Sequence, residues 1–263
     1  MTTFTLGPEG TFSHELAVRL MTKDIRLMPT IHRIFDAVAR GEGDGIVPIE
    51  NSEAGGVGAT LDGLIQKPVY ITAEMYMPID HHLAAFAPLE NLEKIYVHPQ
   101  THEQCSEKIE EWGIPVIHTD SNAKSAIALQ GDPSAGAIVS SSAVIYYHLP
   151  VILSHVQNNT DNITRFVRID KEPCNGEEAT KCSIVIDPSG DRSGLLHDLL
   201  AVFAVKKINL TRIESRPSKR GIGTYVFFLD YDMSPGYKDA ITYLKTMTGV
   251  KELGCYRRIE VPE

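Results

Sequence analysis

The feature that most restricts how this chain can fold is a repeated unit of strand, polar loop and helix that runs to about residue 170 and then stops. Residues 3–6 read as a strand, and Gly7-Pro8-Glu9-Gly10-Thr11-Phe12-Ser13 then forces a turn. Thr11 or Ser13 caps the helix that follows over 14–21. Thr30 caps the next helix, whose Ile31, Ile34, Phe35 and Val38 recur at helical spacing until Gly41 ends it. Residues 45–49 form a buried strand that runs into Glu50-Asn51-Ser52-Glu53-Ala54-Gly55-Gly56, a polar loop ahead of another helix. The rhythm returns at 95–112, at 116–130 and at 137–147. Strands alternating with helices imply mainly parallel sheets covered on both faces. Residues 69–77 and 82–86 cross into a second lobe covering about 78–160, and the strand at 163–170 returns to the first. Polar loops recurring after strands imply a crevice between the lobes, where open α/β sheets bind small molecules.

Residues 171–180 are polar, carry Pro173 and Gly176 and lack periodicity, which places a domain boundary between a unit over 1–174 and one over 181–263. Beyond it the order becomes β-α-β-β-α-β, a ferredoxin-like unit, with Ser193 capping its first helix. A formal net charge of −9 excludes a nucleic-acid surface and binding to anionic membranes, so any attraction for an anion has to be local. Cys105, Cys174, Cys182 and Cys255 form no C-x-x-C pair, which is the expectation for free thiols in a cytoplasmic protein. No signal peptide or membrane span is expected.

The chemistry is expected at Asn162-Ile163-Thr164-Arg165-Phe166. On a strand, Thr164 and Phe166 share one face and Arg165 takes the other. The arginine fork suits a carboxylate. Asn51 and Ser52 are placed to donate hydrogen bonds at a strand's carboxyl end. The helix starts near Thr11–Ser13 and Ser140-Ser141-Ser142 offer free N–H groups to an anion. The first loop is not G-x-G-x-x-G, so no dinucleotide site is expected. His98 and His102 are four apart, but Pro99 disrupts a helix there and no third ligand cluster is near, so no metal is expected.

Taken in order, Gly7-Pro-Glu-Gly-Thr-Phe-Ser13, Pro48-Ile-Glu-Asn-Ser52, His98-Pro-Gln100 with Gln104-Cys105, and Thr164-Arg-Phe166 resemble the motifs of prephenate dehydratase. Gly194-Leu-Leu196 with Glu214-Ser-Arg-Pro217 resembles the ACT regulatory domain that follows in that family. The resemblance implies a two-lobed catalytic domain of the periplasmic-binding-protein-like type, then the ferredoxin-like βαββαβ ACT domain. It implies conversion of prephenate to phenylpyruvate, with loss of carbon dioxide and water, as part of phenylalanine biosynthesis and without a cofactor. Thr164, Arg165 and Phe166 take the catalytic positions. Thr11, Ser13, Asn51, Ser52, His98, Gln100, Gln104, Ser140 and Ser141 take substrate-binding ones. An amino-acid effector, expected to be phenylalanine, falls to Gly194, Leu195, Leu196, Asn209, Glu214, Ser215, Arg216 and Pro217. A homodimer or homotetramer through the ACT domains is implied. Two departures stand out: Val97 replaces the Ser usual before His-Pro-Gln, and Leu195 replaces the Ala of Gly-Ala-Leu. No chorismate-mutase or prephenate-dehydrogenase extension fits in 263 residues, so a monofunctional enzyme is expected. The alternatives are an arogenate dehydratase and a non-catalytic two-lobed amino-acid-binding regulator.

Overall fold

A computed structural model describes residues 2–174, 178–221 and 223–262. Part of the expected boundary segment, residues 175–177, lies outside them. Lobe one contains β1 (Thr2–Leu6), α1 (Phe12–Arg19), β2 (Asp24–Met28), α2 (Ile31–Arg40), β3 (Asp44–Asn51), the two-residue β4 (Gly55–Gly56), α3 (Gly58–Gln66) and β5 (Tyr70–Pro78). Lobe two follows with β6 (His81–Ala85), β7 (Lys94–Val97), α4 (Pro99–Gln104), α5 (Ser106–Trp112), β8 (Val116–His118), α6 (Asn122–Gln130), β9 (Ala135–Ser140), α7 (Ser141–Tyr147) and β10 (Val151–Leu153). Then β11 (Ile163–Asp170) returns to lobe one. The C-terminal unit is β12 (Lys181–Asp187), α8 (Leu195–Val205), β13 (Leu210–Pro217), β14 (Tyr225–Asp232), α9 (Tyr237–Met247) and β15 (Gly249–Arg258).

Local signals decide where the helices begin. The hydroxyls of Thr11 and Thr30 accept from the third residue beyond them, His14 and Arg33, and Gly41 ends α2 with φ +79°. Gly194, not Ser193, caps α8; it adopts φ +78°, which glycine takes without strain, and has no side chain to bond the helix start. Parallel pairing holds within the strand–helix units, β1 with β2 and β3, and β7 with β8 and β9. By contrast β11 runs antiparallel to β3 and β5, and β6 antiparallel to β9. The sheet of each lobe is therefore mixed, because the strands carrying the chain between lobes arrive without a crossover helix.

The C-terminal sheet, ordered β13-β14-β12-β15, does not stand apart: Arg257 and Arg258 pair with Ala73 and Glu74 of β5, which joins it to lobe one as one sheet. One of its faces carries α8 and α9, whose Leu199 and Leu244 pack in one cluster with Ile184 and Leu229 of the sheet. The other places Val185, Phe228 and Tyr256 in one apolar cluster with Phe35 and Leu64 of lobe one. Burying both faces makes this seam a core rather than a loose domain contact. The expectation of four free thiols is corrected here. Cys182 and Cys255 face each other in the β12–β15 register and form a disulfide. Cys105 and Cys174 remain free.

Candidate active site

Between the lobes lies a cavity of about 360 Å³, within the usual size for a small-molecule site. Lobe one supplies an apolar wall of Leu6, Phe12, Ile31, Pro48, Val57 and Phe166; lobe two supplies a polar one of His81, His98, Gln100, Thr101, Gln104 and Asn122. A larger cavity of about 590 Å³ lies at the seam around Cys174 and Tyr231 and holds none of the expected substrate residues. The interlobe cavity is therefore the site.

At its base, Thr164 opposes Asn51 across the β11–β3 ladder, and Asn51 Nδ2 donates to Thr164 Oγ1 at 3.0 Å. A bulge after Arg165 shifts the register, so that Phe166 pairs with Pro48. Such bulges re-aim side chains beside a site. Asn51 has little freedom, since its Oδ1 accepts from the N–H groups of Glu53 and Ala54 at 3.0 and 2.9 Å. Its Nδ2 also donates to Asn162 Oδ1 at 2.7 Å, and Asn162 donates in turn to Glu53 Oε2 at 3.0 Å. Glu53 thus orients its neighbours. With Oγ1 already accepting from Asn51, the Thr164 hydroxyl hydrogen is left for a ligand.

Eight of the twelve expected catalytic and substrate residues line this cavity: Thr11, Ser13, Asn51, His98, Gln100, Gln104, Thr164 and Phe166. Four do not. Ser52 donates to Asn162 Oδ1 at 3.4 Å and accepts from Ile163 N–H at 3.0 Å, tying its loop to β11. Ser140 uses its hydroxyl as the α7 cap, accepting from Ala143 N–H at 3.2 Å and donating to the Gly10 carbonyl at 2.9 Å. It latches the lobes together rather than cradling an anion. Ser141 lies 2.7 Å from His82 Nε2.

The fourth, Arg165, is corrected most sharply. It does point away from Thr164, as strand geometry requires, but it meets protein rather than substrate. Its guanidinium donates to Glu74 Oε2 at 2.8 Å, Asp230 Oδ2 at 2.5 Å and the Tyr256 hydroxyl at 2.9 Å. Glu50, one residue before Asn51, lies 3.6 Å from Arg165 and 3.3 Å from Arg212 of β13. Burial alone would lower the Arg165 pKa, but Asp230, Tyr256 and Glu74 raise it and hold the group cationic. Substrate has no access to a guanidinium committed in this way.

Among the described residues, no Lys or Arg lines the cavity. An anion entering it meets neutral donors instead. Residues at the starts of α1, α2, α3, α4 and α6, namely Ser13, Ile31, Val57, Gln100 and Asn122, all border it, so the positive ends of five helices face it. Burial lowers the pKa of His98, with His118 adding to the effect, and burial takes His81 down to about 4. Asp120 is the carboxylate in the lining and lowers the field locally. His81, Thr101, Ser121 and Asn122 were missed by motif reasoning. Ser121 is the α6 cap, accepting from Lys124 N–H, and a capping signal would have found it. His102 pairs with His118 at 2.9 Å rather than with His98. Among the described residues no cluster of three His, Cys, Asp or Glu is arranged to hold a metal ion. Val97 packs in the core of lobe two with Leu83 and Ile95.

The effector residues are not gathered into one cavity among the described residues. Strand alternation splits them: Arg212, Glu214 and Arg216 turn toward lobe one, while Ile213, Ser215 and Pro217 are exposed on the other face. Glu214 is held by Arg212 and packs where a Cβ on Gly56 would fall, and Arg216 reaches Asp62 at 3.4 Å. Asn209 donates to Asp232 Oδ2 at 2.8 Å.

Residues 3–174 match the family profile described as prephenate dehydratase, and residues 189–233 match that of the ACT domain. A bifunctional chorismate mutase/prephenate dehydratase of Aquifex aeolicus is 36% identical over 94% of this chain and 69% of its own length. A prephenate dehydratase of Methanocaldococcus jannaschii is 33% identical over 86% of each. Among solved structures, the prephenate dehydratase of Arthrobacter aurescens in complex with L-Phe superposes with a TM-score of 0.88 at 29% identity, covering 98% of this chain and 90% of that one. With eight of the twelve expected residues gathered on one interlobe cavity and a profile matched in each unit, this chain belongs to the prephenate dehydratase family and carries an ACT domain after its catalytic part.

Proposed function

We propose that this protein is a prephenate dehydratase, regulated through its ACT domain by phenylalanine. The observation that carries the reading is the Thr164 hydroxyl at the base of the interlobe cavity, 3.0 Å from an Asn51 amide that is itself immobilised. Prephenate carries two carboxylates and a ring hydroxyl that must leave. The lobe-two donors and helix starts suit the side-chain carboxylate. The ring and its departing carboxylate suit the apolar wall around Phe166, where the carboxylate loses its hydration. Aromatisation supplies the driving force, so positioned neutral groups suffice. Mixing the protein with prephenate is expected to produce the ultraviolet absorbance of phenylpyruvate. No phenylpyruvate would overturn the reading, and faster turnover of arogenate would reassign the substrate.

The feedback reading rests on the ACT domain and on the L-Phe complex of the Arthrobacter protein. Phenylalanine is expected to inhibit; Ser215→Ala on the exposed face of β13 and Glu214→Ala, through loss of its hold on Arg212, are each expected to relieve inhibition about 5- to 150-fold, the range of ordinary coupling energies. Equal inhibition of wild type and both variants rejects the site. The reading includes a cytoplasmic location and assembly as a homodimer or homotetramer through the ACT domains. Val205 and Tyr243, 79% and 58% exposed on α8 and α9, support such assembly. No helix among the described residues is long and apolar enough to cross a membrane.

A further inference from the structure

We infer that His81 is a positioning residue that fixes which end of the Gln104 carboxamide faces the substrate. His81 opens β6 at the point where the chain enters lobe two, and it is 1% exposed. Its backbone is pinned on both sides. The backbone N–H donates to Gln157 Oε1 at 3.0 Å and the carbonyl accepts from Val156 N–H at 2.9 Å. The Phe12 ring packs against the imidazole, with ring centroids 5.6 Å apart at 78°. His81 Nε2 lies 3.0 Å from Gln104 Oε1.

An N–H on Nδ1 would be buried without an acceptor, so the ring proton sits on Nε2 and the amide oxygen accepts from it. Nδ1 is buried with no partner and holds a bare lone pair. Burial keeps the ring neutral, so it does not add a second N–H. A free carboxamide turns over with little cost, presenting oxygen or nitrogen equally well. Here the oxygen is occupied, and the NH₂ arm is what Gln104 offers the cavity. Turned over, Gln104 would set its oxygen against a carboxylate ligand and its NH₂ against Nε2–H, two repulsions at once. His81 therefore selects the anion-binding orientation without touching the reacting atoms.

The inference rests on the reading that the cavity receives a carboxylate substrate, and its test has an arm that needs no turnover. In ¹⁵N-histidine-labelled protein near neutral pH, His81 is expected to show a protonated Nε2 and an unprotonated Nδ1. An Nδ1–H tautomer or an imidazolium overturns the inference, whatever the activity. With prephenate, His81→Phe and Gln104→Ala are each expected to lower kcat/KM about 10- to 100-fold, mostly through KM, as for a hydrogen bond to a charged group. The double variant is expected to be no worse than Gln104→Ala, because the two act as one unit. Additive losses overturn it. Should wild type not convert prephenate, the dehydratase reading fails, while the tautomer still decides the His81–Gln104 arrangement.

Discussion

Thr164→Ala is expected to lower kcat by about 10²–10⁴-fold, the usual range for a lost proton-transfer partner, with the fold intact. A threonine hydroxyl is a poor acid in water, so its use here depends on the Asn51 amide. As the Thr164 proton moves toward the departing ring hydroxyl, negative charge grows on Oγ1. Asn51 Nδ2 already donates to that atom at 3.0 Å, and the bond strengthens as the charge develops. The donor is pre-oriented: Asn162 and the N–H groups of Glu53 and Ala54 hold the Asn51 amide, so little reorganisation accompanies the step. Thr164→Ser keeps the hydroxyl and is expected to retain activity within about 10-fold, whereas Asn51→Ala is expected to lose about 10²–10³-fold, as when one oxyanion donor is removed. Steady-state turnover of prephenate measures all three. Unchanged turnover in folded Thr164→Ala would take the hydroxyl out of the mechanism.

The residues that were legible in sequence are those whose placement follows from local rules. Thr164 and Phe166 share a face because strands have period two, and both reach the cavity. Thr11 and Thr30 cap helices because a hydroxyl just before an apolar run satisfies the free N–H groups. What local rules do not supply is the partner. Ser140 was correctly a helix start, but its second hydrogen bond runs to Gly10, 130 residues away. Cys182 and Cys255 are 73 residues apart and meet only because β12 and β15 are sheet neighbours. Arg165 is the clearest case. Period two put it opposite Thr164, yet its partners Asp230, Glu74 and Tyr256 lie 65 and 91 residues off. No spacing within the motif distinguishes a substrate ligand from a buried structural cation. The family resemblance preserved the residue without disclosing its partners.

Arg165→Met is therefore expected to act on stability first, lowering it by about 3–5 kcal/mol, the range for breaking a buried pair from one side. Glu74 and Asp230, both almost wholly buried, would lose a shared cation. Lys181, 2.8 Å from Glu74, remains to compensate one of them, but among the described residues Asp230 keeps only the Ser183 hydroxyl at 2.5 Å. In thermal unfolding the midpoint is expected to fall on the order of 10 °C for a chain of this size. Arg165→Lys is expected to rescue little, since one ammonium cannot span the three directions that the planar guanidinium serves. Adding Asp230→Asn to Arg165→Met removes the orphaned charge and is expected to restore part of the loss, a recovery that a substrate-binding arginine would not show. The same bonds join β11, which carries Thr164, to β14 and β15 of the ACT domain, and Glu50 joins Asn51's strand to Arg212 beside Glu214. A movement of β13 on effector binding therefore has the Glu50 contacts with Arg212 and Arg165 through which to displace the Asn51–Thr164 pair. A raised KM with an unaltered unfolding midpoint in Arg165→Met would return the residue to the substrate site and remove this link.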